Sequence, residues 1–414
     1  MKVLTADNAR TACLADWLAS GGGEGLERAL AEPADVIPTI EAAGLRGMGG
    51  AGFPAHFKWS AVANAPGDDK WLICNGNEDE PGTFKDHFLL ANTPHAVIEG
   101  VLIAALATGA HRLVVYANPH DPAVIAGLEQ AADQWRVHPL FARVGAVLGK
   151  PVTLAILASS GHYVGGEETG AIAAVAGGFP FPRPKPPWPA HDGVGGQPTL
   201  VNNVETLAQA PGILRHGAAW FRDLGRTAPG TKLFSLSGDI LQPGLHELPM
   251  GTPLAELIDN QGGGMLAGRA FKAVFTGGPS NTLLTADDLD VALDFDSLRA
   301  RGSRLGTGAM IVVGEGTSIV RKTAEYVSFF AASSCGQCPP CKIGTYQVAR
   351  ILERIEEGSG RPDDLQALDH LAGLLPGSGR CGLVDGAATV LRSSLAAFRP
   401  EYERAIAAAR AGSQ

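Results

Sequence analysis

An excess of positive charge is missing from this chain. Lys and Arg number 33 against 42 Asp and Glu, a formal net charge of −9, so nothing is set aside to neutralise a nucleic-acid backbone. Long apolar runs are missing too. The longest, AVIEGVLIAALATGA at 96–110, carries Glu99 and stops short of the roughly 20 residues that a membrane span needs; it reads as a buried helix. The opening MKVLTADNARTACLADWLAS has neither the apolar core nor the small-residue cleavage site of a secretory leader. A cytoplasmic protein is expected, or one peripheral to the inner membrane through partners. Cysteine is scarce, at 6 residues, and without a leader its late cluster points to metal rather than disulfides. Cys13 and Cys74 stand alone and read as small buried apolar residues.

What the chain does have is length, apolar segments and glycine. At 414 residues and 45% apolar it can bury two or three cores. Its 54 glycines alternate with strong apolar segments, which points to turns and ligand loops rather than disorder. Short apolar runs at 71–75, 112–116 and 152–159 read as buried strands, with helical patterns at 94–109 and 122–134 between them. That alternation predicts a parallel α/β sheet. Two more helices open near Gly166 and Asn203. After a composition shift at 224–232 comes a small mixed module. It has a strand in KLFSLSGDI, a helix from 252 capped by Thr252, and a strand in FKAVFTGG, and it closes near 305. From 317 the pattern is almost all helix.

Cys335, Cys338 and Cys341, spaced C-x2-C-x2-C, are followed by the distant Cys381. Three close thiolates on a tight loop can each reach a different iron of one cube, and a fourth closes it from elsewhere. Structural zinc more often uses two separated pairs. The spacing therefore favours a [4Fe–4S] cluster, with zinc as the alternative.

GLRGMGGAGFP (44–54) holds five glycines in eleven positions. It matches G-x-G-x-x-G in letters, but the residues before it read as helix, so it is no Rossmann fingerprint. Arg46 and Lys58 flank it with positive charge, and its amides can form an anion nest. Three polar clusters fall at expected strand ends and helix starts, where α/β folds gather ligand groups. They are Glu78, Asp79 and Glu80; Glu167 and Glu168; and Asn202 and Asn203.

Taken in order, GLRGMGGAGFP…KWS, CNGNEDEPGTFKD, YVGGEETGAI, RPKPPWPA, VNNVETL, SLSGDI…PG, LGTG and SSCGQCPPCKIGT resemble the NADH-oxidising flavoprotein subunit of respiratory complex I. They equally resemble its relatives in NAD-dependent formate dehydrogenases and NAD-reducing hydrogenases. The resemblance covers about residues 40–400. It implies an α/β fold in three parts: a Rossmann-like FMN and NADH domain over 1–226, a small β-grasp (SLBB-type) domain over 227–305, and a helical bundle with a [4Fe–4S] cluster over 306–414. It implies that FMN phosphate and ribityl lie against Gly47, Gly49, Gly50, Lys58 and Asn75, with Asn202, Asn203 and Thr206 completing the cradle. Glu78 and Tyr163 would sit near the flavin ring, and Asn77, Gly166 and Glu167 belong to the same cofactor-binding set. NADH would stack on Phe53 and Trp188, with Glu80, Glu168 and Lys185 holding its polar parts.

The implied function is transfer of electrons from NADH through FMN to the cluster and on to a partner. No side chain need act as acid, base or nucleophile. The alternative is a relay subunit that no longer uses NADH. The expected partner is a thioredoxin-like [2Fe–2S] or other redox subunit of a multisubunit complex. The chain departs from the family at Met48 (usually arginine), Asn77 (usually acidic), Ala61 (usually aromatic), Gly165 (commonly cysteine) and Phe179 (commonly basic). Loss of a cation at Met48 and of a stacking wall at Ala61 would weaken the anion and adenine sites.

Overall fold

A computed structural model describes residues 3–6 and 11–411. Residues 1, 2, 7–10 and 412–414, which include the start of the expected first domain and the end of the last, lie outside the described residues. The chain opens with helices Leu14–Ala19, Glu24–Ala31, Val36–Ala43 and Ala55–Ala63. The first sheet follows: β1 Trp71–Gly76, β2 Arg112–Ala117, β3 Thr153–Ala158 and β4 Thr199–Asn203, in the order β3-β2-β1-β4 with every pairing parallel. Helix Pro94–Thr108 lies almost wholly buried among the others, which is why its sequence is apolar all round. Helix Pro122–Val137 starts where Asp121 accepts the Ala123 N–H, with proline at the first helical position.

The three strands predicted from apolar runs are present, but the third is not the buried strand expected: β3 lies at the sheet edge, with only Leu154 buried. β4 was not predicted. Its five residues end in Asn202 and Asn203, which read as a helix cap, and only pairing with β1 reveals the strand. Asn203 does both jobs, ending β4 and capping helix Val204–His216 through the Glu205 N–H at 3.0 Å. Helices Glu168–Val175 and Val204–His216 open where expected. Helix Pro139–Leu148 was not anticipated.

The second sheet comprises β5 Thr231–Gly238, β6 Gly244–Pro249, β7 Phe271–Thr276, β8 Leu284–Thr285 and β9 Ala309–Gly314. Their order is β6-β5-β9-β7-β8, mixed parallel and antiparallel. The expected boundary at 305 needs correction, because β9 is the centre strand of this sheet and its six residues are all buried. Thr252 is not a helix cap. Pro253 takes that position, and the Thr252 hydroxyl donates to Pro249 O at 2.8 Å. Cys74 is buried as expected, but Cys13 is exposed.

Beyond 318 helices Ile319–Ala332, Thr345–Glu356, Asp364–Leu374 and Leu383–Ala411 pack around Phe330, Leu352, Leu391 and Tyr402. Among the described residues no single helix is long and apolar enough to cross a membrane. A bent pair, Lys85–Asn92 with Pro94–Thr108, passes by length and composition alone, and the second of these is core.

Candidate functional site

The glycine loop is a closed hairpin at the junction of the two sheets. Gly47 N donates to Phe53 O at 2.8 Å and Ala55 N to Leu45 O at 2.9 Å, sealing its neck. Arg46 staples it from outside, reaching Gly52 O at 2.6 Å and Asp296 at 2.9 Å while lying 4.8 Å over the Phe295 ring. Gly52 has φ +63°, and a Cβ there would come 2.4 Å from Phe295. Gly50 has φ +135°, and a Cβ there would meet nothing within 4 Å. The side of Gly50 where a Cβ would stand is therefore open, while its backbone forms an antiparallel bridge with Gly306; that open side leaves room for close approach of a phosphate.

Several predicted residues gather under this loop. Met48 N donates to Thr206 Oγ1 at 2.8 Å, and a Cβ on Gly49 would touch Asn203 at 3.0 Å. Lys58 donates to Val201 O at 2.8 Å and to Glu168 at 2.7 Å. Asn75 Nδ2 donates to Gly166 O at 2.9 Å, and the Asn75 side-chain oxygen accepts from Asn77 N at 3.2 Å. Asn77 also bonds Asp79, His162 O and Ser159. Asn202 turns inward instead, its amide oxygen taken by the Trp59 indole at 2.7 Å. Glu78 spends its carboxylate on the first turn of helix Lys85–Asn92, accepting from Asp86 N and His87 N. Burial and the nearby Asp86 push its carboxyl up to about 7, against the pull of Lys85.

A second group lies along 163–188. Tyr163 donates to Glu80 at 2.6 Å, and Glu80 also accepts from Ser280 N at 3.3 Å. Burial raises the Glu80 carboxyl, opposed by the Tyr163 bond. Glu167 caps helix Glu168–Val175, accepting from Thr169 N at 2.8 Å and Gly170 N at 3.2 Å. Glu168 instead bridges Lys58 and Lys185, the latter at 2.6 Å. Burial alone would raise its carboxyl, but the two lysines outweigh that and hold it below the usual range. Lys185 lies 5.7 Å from the Trp188 ring. Phe53 and Trp188 are each about half exposed, at 52% and 53%.

Two expected weaknesses change in the structure. Met48 is buried, so its side chain faces core rather than a phosphate. Ala61 is exposed, but Phe57, one turn earlier on the same helix, stands 58% exposed with its ring 6.0 Å from Phe53. Phe53 and Phe57 thus form an exposed aromatic pair, with Phe57 one turn before Ala61.

Sequence reasoning missed the charges beneath the loop. Lys85, Asp86, Glu205 and Lys232 are buried together: Lys85 lies 2.7 Å from Asp86 and 3.1 Å from Glu205, and Lys232 lies 2.6 Å from Glu205. Removing one member of such a set costs about 3–5 kcal/mol by stranding its partner. Their signal was charge placed inside otherwise apolar windows, in FKD, VET and GTK.

All four late cysteines line one small cavity with Val164 and Pro182. Ser334 Oγ lies 3.3 Å from Cys341 Sγ, and Arg380 N donates to Cys338 Sγ at 3.3 Å. Burial raises the Cys341 thiol and pushes Cys381 up to about 11, so a bound metal must displace protons. Four thiols around one cavity fit the ligand set of an iron–sulfur cluster.

Glycine cradle, aromatic walls and four-thiol cavity together define a nucleotide-binding redox protein. Comparison with known proteins gives the particular family. Residues 40–212 match the Nuo51 FMN-binding domain, and residues 321–405 match the NADH-ubiquinone oxidoreductase-F iron-sulfur binding region. The chain is 41% identical over 394 residues to the F 2 subunit of NADH-quinone oxidoreductase from Rhizobium meliloti, covering 94% of this chain and 93% of that one. It is 40% identical over 390 residues to the HndC subunit of an NADP-reducing hydrogenase from Solidesulfovibrio fructosivorans, covering 94% and 79%. A crystal structure of an NAD+-reducing [NiFe]-hydrogenase in the H2-reduced state aligns with a TM-score of 0.85 at 35% identity, over 96% of this chain and 67% of that chain. The chain belongs to the family of NADH-quinone oxidoreductase F subunits and their hydrogenase relatives.

Proposed function

We propose that residues 163–168 are the hub of an NADH-oxidising flavoprotein subunit. The subunit is an oxidoreductase that carries electrons from NADH through FMN to a [4Fe–4S] cluster and on to a redox partner. The observation that carries our reading of the site is this single segment. Val164 lines the cysteine cavity, Gly166 O holds Asn75 beside the glycine loop, and Glu168 bridges Lys58 and Lys185. Six residues thus touch all three candidate sites, which keeps the electron path short.

When bound, FMN takes the electron pair that NADH gives up as hydride and hands it on singly, as an iron–sulfur centre requires. The chain's own residues bind and orient. Amides of Gly49 and Gly50 face the phosphate, Gly47 closes the neck of their loop, and Lys58 supplies positive charge. Asn75, Asn77, Gly166, Asn203 and Thr206 build the walls of that cradle, and Asn202 braces it from behind through Trp59. Phe53, Phe57 and Trp188 stack on the dinucleotide and exclude water. Glu80, Glu168 and Lys185 hold its polar parts, with Tyr163 and Ser280 fixing Glu80 and Glu167 holding the helix start. Glu78 orders helix Lys85–Asn92. Cys335, Cys338, Cys341 and Cys381 ligate the cluster.

On this reading the second sheet is an SLBB-type β-grasp module, and the partner is a thioredoxin-like [2Fe–2S] or similar redox subunit in the cytoplasm. The test is anaerobic reduction of the purified chain. NADH should bleach flavin and then cluster absorbance, and Cys381→Ser should make the cluster labile without loss of FMN. If dithionite reduces both centres and NADH reduces neither, the NADH reading is wrong and the relay alternative replaces it.

A further inference from the structure

We propose that Lys232, on the second sheet, is a positioning residue for the glycine loop and acts through the Met48 peptide. The inference rests on the reading that this loop binds the FMN phosphate. Lys232 is fully buried, with its ammonium 2.6 Å from Glu205 Oε2 and 3.5 Å from Met48 O. At the other side of the same residue, Met48 N donates to Thr206 Oγ1 at 2.8 Å. Glu205 and Thr206 are neighbours in the first turn of helix Val204–His216, whose cap, Asn203, packs against Gly49. Met48 is therefore held at its N–H by the helix and at its C=O by the lysine paired with that helix.

The geometry of a trans peptide gives this grip a consequence. The C=O and the following N–H point in opposite directions across the plane. A carbonyl drawn inward to Lys232 turns the Gly49 N–H away from the buried charges. Gly50 follows, with open space where its Cβ would be. An ammonium beneath the loop thus fixes the direction in which its first free amide points.

The remaining charges explain why a lysine can be kept there. Glu205 also accepts from Leu233 N at 2.8 Å, which ties β5 to the same helix. Lys85 lies between Glu205 and Asp86, and its ammonium also donates to Asn203 Oδ1 at 3.0 Å. Burial and the neighbouring Lys85 lower the Lys232 ammonium to about 8, opposed by Glu205 and Asp86. Ordinary structural pairing between β5 and helix Val204–His216 would account for the Lys232–Glu205 bond, but not for a contact to the carbonyl inside the glycine loop.

The test uses the full chain and FMN itself. Lys232→Met alone would leave Glu205 and Asp86 to share Lys85, so the informative variant is Glu205→Gln with Lys232→Met, which removes one charge of each sign and leaves an acceptor for Leu233 N. FMN binding, read by quenching of flavin fluorescence on the FMN-depleted protein, should weaken at least tenfold, with cluster absorbance and melting temperature unchanged. FMN affinity within twofold of wild type overturns the proposal. So does a loss of FMN that merely tracks loss of cluster and of melting temperature. Should the double variant not fold, Thr206→Val cuts the other hold on the Met48 peptide. At least fivefold weaker FMN with full cluster content supports the grip, and unchanged affinity overturns it. A wild-type chain that binds no FMN would instead sink the reading of the loop.

Discussion

Glu168 can separate a binding role from a structural one, because two adjacent glutamates are used unequally: only Glu168 reaches both Lys58 and Lys185, while the helix cap Glu167 also lies 3.1 Å from Lys185. Glu167 caps its helix through the Thr169 and Gly170 amides. Glu168, one residue on, bonds Lys58 at 2.7 Å and Lys185 at 2.6 Å. If Glu168 were only a partner of the helix dipole, Glu168→Gln would cost about 0.3–1 kcal/mol of stability and leave turnover alone. If Lys58 serves the phosphate and Lys185 the dinucleotide, as proposed, Glu168 links them through two charge-assisted bonds, each worth about 1.5–3 kcal/mol when dry. The three side chains keep 18–29% exposure, and glutamine retains one acceptor, so solvent and that acceptor recover part of the loss. A net loss of about 1–3 kcal/mol in transition-state stabilisation is expected, or about 5- to 150-fold in kcat/KM for NADH. The assay is NADH–ferricyanide reduction with FMN and iron contents matched to wild type, alongside a melting curve. Reduction of the cluster by dithionite, which needs no dinucleotide, should not change. An unaltered kcat/KM together with a lowered melting temperature would refute the argument.

Two further outcomes are expected. Gly50→Ala puts a methyl into the open space at φ +135° and should weaken FMN binding at least tenfold, whereas Gly67→Ala, at φ +97° with nothing within 4 Å, carries similar backbone strain away from the loop and should leave it intact; equal effects on flavin fluorescence titrations would reject the cradle. Glu78 has its carboxyl raised from 4.5 to about 7, chiefly by burial, so it contributes stability below pH 4.5 that is lost as pH rises through 7. The melting temperature of Glu78→Gln should therefore gain on wild type between pH 4.5 and 7.5, and a constant difference across that range would show that the group does not titrate in the fold.

Much of this protein is local in origin. Apolar runs bounded by turns specify β1 and β2, because a strand buried on both faces needs no partner information to be recognised; β3 is apolar too, yet lies at the sheet edge with only Leu154 buried. Asn203 and Glu167 are also legible as helix starts, since a cap is a contact between near neighbours. The cysteine spacing and the glycine loop are likewise written in order along the chain. Tertiary structure decided what spacing cannot carry. β4 is a strand only beside β1, and β9 belongs to the second sheet only because it lies between β5 and β7. Phe57 pairs with Phe53 because helix Ala55–Ala63 turns it that way, a matter of helix orientation. Lys85 and Lys232 lie far apart in the chain, yet they share Glu205. Two ammonium groups can be buried only where the fold brings opposite charge to each of them at once.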